Sequence, residues 1–84
     1  MGVKVKFYGS LSKGIGSEIT VDMPAGSTLS DLLKQLHQKN PEISPDNPDL
    51  IIFINDAESH LSGGLKAKLN ESDAVSILPA AHGG

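Results

Sequence analysis

Only one stretch of this 84-residue chain spaces its apolar side chains as a helix does. Leu29, Leu32, Leu33 and Leu36 fall at offsets of zero, three, four and seven, along one face of a 3.6-residue turn. Thr28 stands where a side-chain oxygen caps the first turn, Asp31 places a negative charge near the positive end of the helix dipole, and Asn40-Pro41 ends the pattern. Every other patterned segment alternates with a period of two. One helix among several strands has one economical solution, in which the leucine stripe is buried against a face of a sheet. In a chain this small the four leucines are core rather than a partner-binding stripe.

Val3, Val5 and Phe7 alternate with Lys4, Lys6 and Tyr8, and Ile19, Val21 and Met23 alternate with Glu18, Thr20 and Asp22 until Pro24 and Gly26. Residues 9–17, rich in Gly and Ser, connect these two strands into an antiparallel hairpin. Pro41, Pro45 and Pro48 make residues 40–49 a loop. Leu50-Ile51-Ile52-Phe53-Ile54 is apolar throughout, so both faces of that strand touch something, and Asn55-Asp56 turns the chain. Residues 57–69 carry no clear period; Gly63-Gly64 marks a tight turn, with Leu65 and Leu69 as packing points. Asn70 to Asp73 is a turn, and Ala74 to Leu78 a last strand stopped by Pro79. The expected architecture is α+β, a mixed sheet of four to five strands with one main helix across one face. Residues 1–79 form the domain and residues 80–84 a flexible C-terminal tail.

Composition removes whole classes of function. Without cysteine there is no disulfide, no thiolate nucleophile and no cysteine zinc site, so any sulfur or acyl chemistry must use another atom. With no arginine and a net charge of −3, nucleic acid is not an expected partner. No apolar run approaches the roughly 20 residues of a membrane span, and a cytoplasmic protein with no membrane partner is expected. His37, His60 and His82 are dispersed, so no metal site is expected. Gly14-Ile15-Gly16 lacks the third glycine of a dinucleotide loop, and Ser10, Ser12 and Ser17 lack a hydrolase's histidine and acid. Charge is uneven: residues 1–39 hold five lysines against three acids, whereas residues 40–65 hold Glu42, Asp46, Asp49, Asp56 and Glu58 with no lysine. One flank is therefore acidic, a solvated loop or a docking surface for a basic partner.

The last residues, Gly83 and Gly84, carry the chemistry that the rest lacks. A glycine pair arises at a chain end by chance about once in 200 sequences. It is also slender enough to thread a narrow channel, and nothing shields its last carbonyl. Ala80, Ala81, His82, Gly83 and Gly84, fully extended, reach about 17 Å, enough to enter another protein's active site. Ordering them there costs about 5–10 kcal/mol, so the folded domain must supply affinity through an apolar patch. Ile51 or Ile52, with Phe53 and Leu78, are the candidates; pleat parity alone does not say which face outward. An α-carboxylate ordinarily titrates at about pH 3.3–3.7, so at neutral pH it is ionised and unreactive until a partner activates it. Attack on the α-phosphate of ATP, with magnesium on the phosphates, gives an acyl-adenylate open to sulfur or amine nucleophiles.

Val3-Lys-Val-Lys-Phe7, Ser27-Thr-Leu-Ser-Asp-Leu-Leu33, Phe53-Ile-Asn55 and Asp73-Ala-Val-Ser-Ile-Leu-Pro79, followed by Gly83-Gly84, cover nearly the whole chain. In that order they resemble the ubiquitin-like β-grasp sulfur carriers of the MoaD and ThiS type, above all MoaD, the molybdopterin synthase small subunit, and the archaeal small modifier proteins. The resemblance implies a final strand parallel to the first. It implies adenylation of Gly84 by a MoeB-like activating enzyme and conversion to a thiocarboxylate, with Gly83 giving passage. Phe53, Leu78, Pro79, Ala80, Ala81 and His82 are then partner-binding residues. The chain itself is no enzyme but a protein cosubstrate, or the non-catalytic small subunit of a synthase complex. It binds no cofactor, ATP and magnesium being used by the activating partner, and it delivers sulfur to a molybdopterin synthase large subunit or joins modification targets. Thiamine-pathway carriage and attachment to target lysines through Gly84 are the alternatives, with a plain adaptor as a different class. Ala80, where family members often have a second proline, and His82, in place of a small residue, bear on partner choice.

Overall fold

The computed structural model describes residues 1–13 and 16–80. Five strands form one mixed sheet: β1 (Gly2–Phe7), β2 (Glu18–Asp22), β3 (Leu50–Ile54), β4 (Ala57–Glu58) and β5 (Ala74–Pro79), ordered β2-β1-β5-β3-β4. β1 and β2 are antiparallel, with Val3 opposite Val21 and Val5 opposite Ile19. The last strand lies parallel to the first, Val5 beside Val75 and Phe7 beside Ile77, and antiparallel to β3, Ile52 beside Ile77 and Ile54 beside Val75. One face of the pleat therefore collects Val3, Val5, Phe7, Val21, Ile54, Val75 and Ile77, all buried. The helix α1 (Leu29–His37) buries Leu29, Leu32, Leu33 and Leu36 in the same core, each no more than 2% exposed.

The start of α1 is a reciprocal capping box. Thr28 Oγ1 accepts the Asp31 N–H at 3.2 Å, and Asp31 Oδ2 accepts the Thr28 N–H at 3.0 Å. The Thr28 main-chain hydrogen bond, then the one to its side chain, hold the Asp31 carboxyl below its ordinary value, with a smaller contribution from Lys34. The helix ends at His37, three residues before the position 40 that the sequence suggests. Its last turn tightens because the N–H groups of Lys39 and Asn40 both donate to the Leu36 carbonyl, at 2.9 and 3.1 Å. The chain then turns back, and Ile43 joins the core fully buried.

Elsewhere the segments between strands contribute more than their composition indicates. A 3₁₀ turn at Gly9–Ser12 inserts Leu11, 1% exposed, into the core. Residues 57–69 hold β4 and two 3₁₀ turns, Ser59–Ser62 and Gly64–Lys66, joined as expected at Gly63 and Gly64, whose φ values of 111° and 64° are left-handed. Leu65 is not a packing point: it is 41% exposed. The segment that follows runs beside the start of α1, with Leu29 N–H donating to Ala67 and Leu69 N–H to Ser27, each at 2.9 Å. Extended geometry there turns Ala67 and Leu69 inward, while Leu65 lies in the 3₁₀ turn before it. Among the described residues no helix is long and apolar enough to cross a membrane.

One buried carboxylate ties three strands. Asp73 Oδ1 accepts from Asn55 Nδ2 and Oδ2 from the Asn70 N–H, both at 2.8 Å, while the Asp73 carbonyl accepts the Lys4 N–H at 3.0 Å. Asn55, at a left-handed φ of 50°, returns its Oδ1 to the Ala74 N–H at 2.9 Å. Asp73→Ala leaves Asn55 Nδ2 and the Asn70 N–H without their acceptor and is expected to cost about 2–4 kcal/mol, read as a lower urea midpoint at unchanged slope. For Asp31 the folded carboxyl titrates below its unfolded value of about 3.9, so its contribution is present above that pH and is lost as pH falls through the folded value. Asp31→Asn should accordingly lower the thermal midpoint at pH 7, and the two proteins should converge in acid scans only once the pH has fallen below the folded Asp31 value.

Candidate docking face and tail root

The face of the sheet opposite α1 is built by the other half of the pleat. Register places Ile51 opposite Leu78 and Phe53 opposite Ser76, pointing away from the core, whereas Ile52, paired with Ile77, packs against it. Ile51 rather than Ile52 is thus the outward isoleucine, 38% exposed. Tyr8 continues β1, its N–H donating to the Ile77 carbonyl at 3.1 Å, and the residue is 45% exposed. Tyr8, Phe53 and Leu78 line, with Asp56 and Ser76, a shallow groove of about 350 Å³. Lys4 and Lys6 are exposed on the β1 side, Lys6 Nζ 3.9 Å from Glu18; Asp56 and Glu58 stand on the β3–β4 side, Glu58 Oε2 3.1 Å from His60 Nδ1. The patch is apolar at its centre, basic along one margin and acidic along the other.

Phe53 and Leu78, both expected from the sequence, are brought together; Pro79 ends β5 and Ala80 follows it. Pro79 pairs with Leu50, and its ring sits against Gly9: a Cβ on Gly9 would lie 3.3 Å from Pro79 Cγ, and its φ of 60° also favours glycine. The Ala80 N–H donates to the Asp49 carbonyl at 2.6 Å, so the proline-rich loop grips the chain one residue past Pro79. Of the acids grouped by the sequence, Glu42 and Asp49 line a recess of about 190 Å³ at this root, and Asp56 lines the groove on the outer face. Ala81, His82, Gly83 and Gly84 lie outside the described residues.

Tyr8 is the contributor that sequence reasoning missed. The signal was the alternation Lys4, Lys6, Tyr8, which assigns Tyr8 to the outer face, but the register of β1 on β5 is what sets it near Leu78.

A five-stranded mixed sheet whose first and last strands are parallel neighbours, crossed on one face by one main helix, is the ubiquitin-like β-grasp. The ThiS family profile matches residues 5–84, and the chain belongs to the ThiS family. Over 94 aligned residues it is 31% identical to the sulfur carrier protein CysO of Mycobacterium tuberculosis, covering 100% of both chains. The solution structure of the small archaeal modifier protein 1 from Methanosarcina acetivorans superposes with a TM-score of 0.79 at 26% identity, covering 99% of this chain and 96% of that one. A chain in the complex of subunits 1 and 2 of the molybdopterin-converting factor from Helicobacter pylori shares the fold, with a TM-score of 0.68 at 24% identity and 100% of both chains covered. The family thus includes small ubiquitin-like sulfur carriers and modifiers.

The two faces of the sheet should respond oppositely to truncation. Ile77→Ala, at a fully buried position, is expected to cost about 2–5 kcal/mol. Ile51→Ser, on the outer face, should change stability by no more than about 0.5 kcal/mol; denaturant titration of the two variants side by side checks this.

Proposed function

We propose that this protein is a sulfur carrier that acts through the carboxylate of Gly84. The observation that carries the reading is the full-length likeness to a sulfur carrier in a chain that has no cysteine and ends in Gly83-Gly84. A MoeB-like activating enzyme docks on the outer face at Tyr8, Ile51, Phe53 and Leu78, and Pro79 to His82 lead the glycines into its site. There a carboxylate oxygen of Gly84 attacks the α-phosphorus of ATP and pyrophosphate leaves; magnesium held by that enzyme offsets the phosphate charge. Hydrosulfide then adds to the adenylate carbonyl, loses its proton and expels AMP, which leaves a thiocarboxylate; a persulfide donor would give an acyl disulfide, which a second thiol cleaves by taking the donor sulfur into a disulfide. The domain is a reactant in this sequence, not a catalyst. Its own contribution is affinity: the apolar patch offsets the ordering of the tail.

The recipient in this reading is a molybdopterin synthase large subunit, in keeping with the two-subunit Helicobacter assembly. A second reading, attachment through Gly84 to lysines of other proteins, draws support from the likeness to the archaeal modifier and begins with the same adenylate. Incubation with an activating enzyme, ATP and a sulfur donor should yield a protein in which mass spectrometry finds one oxygen of Gly84 replaced by sulfur. Deleting Gly83 and Gly84 should abolish the product and leave the thermal midpoint unchanged. Sulfur found elsewhere on the chain, or a deletion variant that is still loaded, would overturn the proposal. Tail remnants on lysines of other proteins, recovered in tryptic digests, would mark the modifier reading.

A further inference from the structure

The sheet has two edges of different character. β4 has only Ala57 and Glu58, whereas β2 runs from Glu18 to Asp22, and among the described residues no strand lies beyond it. The bonds to β1 decide which main-chain groups of β2 are engaged. The Phe7 N–H donates to the Ser17 carbonyl at 2.9 Å, and the Met23 N–H to the Met1 carbonyl at 2.8 Å. Both bonds fall on odd-numbered residues, so by the alternation of an antiparallel ladder Ile19 and Val21 also bond to β1, opposite Val5 and Val3. The even-numbered residues of each strand turn their main-chain groups the other way. On β1 those groups face β5: the Gly2 N–H donates to Glu71 Oε1 at 3.2 Å and the Lys4 N–H to the Asp73 carbonyl at 3.0 Å. On β2 the N–H and C=O groups of Glu18, Thr20 and Asp22 face outward, and among the described residues no hydrogen bond meets them. Donors and acceptors repeating at every second residue are a template for one more strand.

The side chains along this edge select what can use it. Glu18, Thr20 and Asp22 are exposed on the face that carries Lys4 and Lys6. Lys6 Nζ is 3.9 Å from Glu18, and the Asp22 side chain is 96% exposed although its Oδ1 lies 3.2 Å from the Met1 nitrogen, so both carboxylates can still meet a cation from outside. A second copy of the chain is disfavoured. Two β2 strands paired antiparallel about Thr20 would set Glu18 of each opposite Asp22 of the other, two like-charge pairs at cross-strand distance, and a register shifted by two residues removes them only by shortening the ladder. A segment with cations at those positions meets the opposite condition. On the α1 side of the pleat, Ile19 is partly exposed at the rim of the core and offers apolar contact to the residues between the cations.

We propose that the outer edge of β2 is a docking site for an extended segment of another protein, joined antiparallel as a sixth strand, with Lys or Arg at two positions four residues apart and apolar residues at the alternate positions between them. The main-chain bonds to Glu18, Thr20 and Asp22 supply affinity, and the carboxylates of Glu18 and Asp22 with the side of Ile19 supply selectivity. β1 lies between this edge and β5, so the site is separate from the groove at Tyr8, Phe53 and Leu78, and it does not rest on the carrier reading of Gly84.

The test uses the full chain and a blocked synthetic peptide whose central five residues are lysine, valine, threonine, valine and lysine. NMR titration should give saturable shifts centred on residues 17–23 with a Kd at or below about 1 mM, and slowed exchange at the amides of Glu18, Thr20 and Asp22. A peptide with glutamate in place of both lysines should bind at least about tenfold more weakly, and the double variant Glu18→Lys, Asp22→Lys should reverse that preference. Methylating the amide nitrogens of the lysines and threonine should abolish binding, whereas methylating those of the two valines, which point away from β2, should leave Kd within about threefold. The proposal is overturned if the lysine peptide does not bind, if the shifts centre elsewhere, if the glutamate peptide binds equally well, or if valine methylation is as damaging as the other. It is also overturned if the chain alone self-associates in sedimentation with protection of the same three amides, since a second copy would then hold the edge. The peptide comparisons use the unsubstituted chain, so they decide the matter even if the double variant does not fold.

Discussion

Where Val5 lies beside Val75 and Phe7 beside Ile77, the two ends of the described chain meet in the middle of the sheet, and the rest of the molecule is arranged around that contact. β5 is flanked by β1 on one side and β3 on the other, so neither half of the sheet is complete without it. Hydrophobic burial stabilises the pairing from the α1 side, where Val5, Val75 and Ile77 have no exposed surface. Asp73 fixes its register from one end, because the same residue binds Asn55 after β3, Asn70 before β5 and the main chain of Lys4 in β1. A one-residue slip of β5 would exchange the buried and outward sets and destroy the core and the outer apolar patch together.

That dependence explains which parts could be read from the chain. The leucine stripe and the alternation of Val3, Val5 and Phe7 are local periodicities, and each maps directly onto a buried face. Leu11 and Ile43 were not legible because they sit in segments whose glycines, serines and prolines dominate the composition. A 3₁₀ turn and a reversal after α1 bring them inward, and only tertiary contact decides that. Leu65 failed for the converse reason: an isolated leucine beside a glycine turn has no period, and the two inward positions went to Ala67 and Leu69 once that segment aligned with Ser27 and Leu29.

The docking face shows the same division. An apolar run such as Leu50 to Ile54 indicates contacts on both sides of a strand but carries no parity, and parity came from the pairing of Ile51 with Leu78. Phe53 and Leu78 were legible as candidates because each is an apolar residue of a strand, and the pairing of β3 with β5 brings them together. Tyr8 was not, since its place depends on a crossover between residues far apart in sequence.

The central position of β5 has a consequence for synthesis. A chain made from its N-terminus has β1, β2, α1 and β3 long before it has the strand that joins them, and contacts of such sequence separation form last. The core therefore closes only when the residues immediately preceding the glycine pair have been made. An incomplete chain would lack both its terminus and the paired strands that present Ile51, Phe53 and Leu78. The outer apolar patch is therefore formed only on molecules whose translation has passed β5.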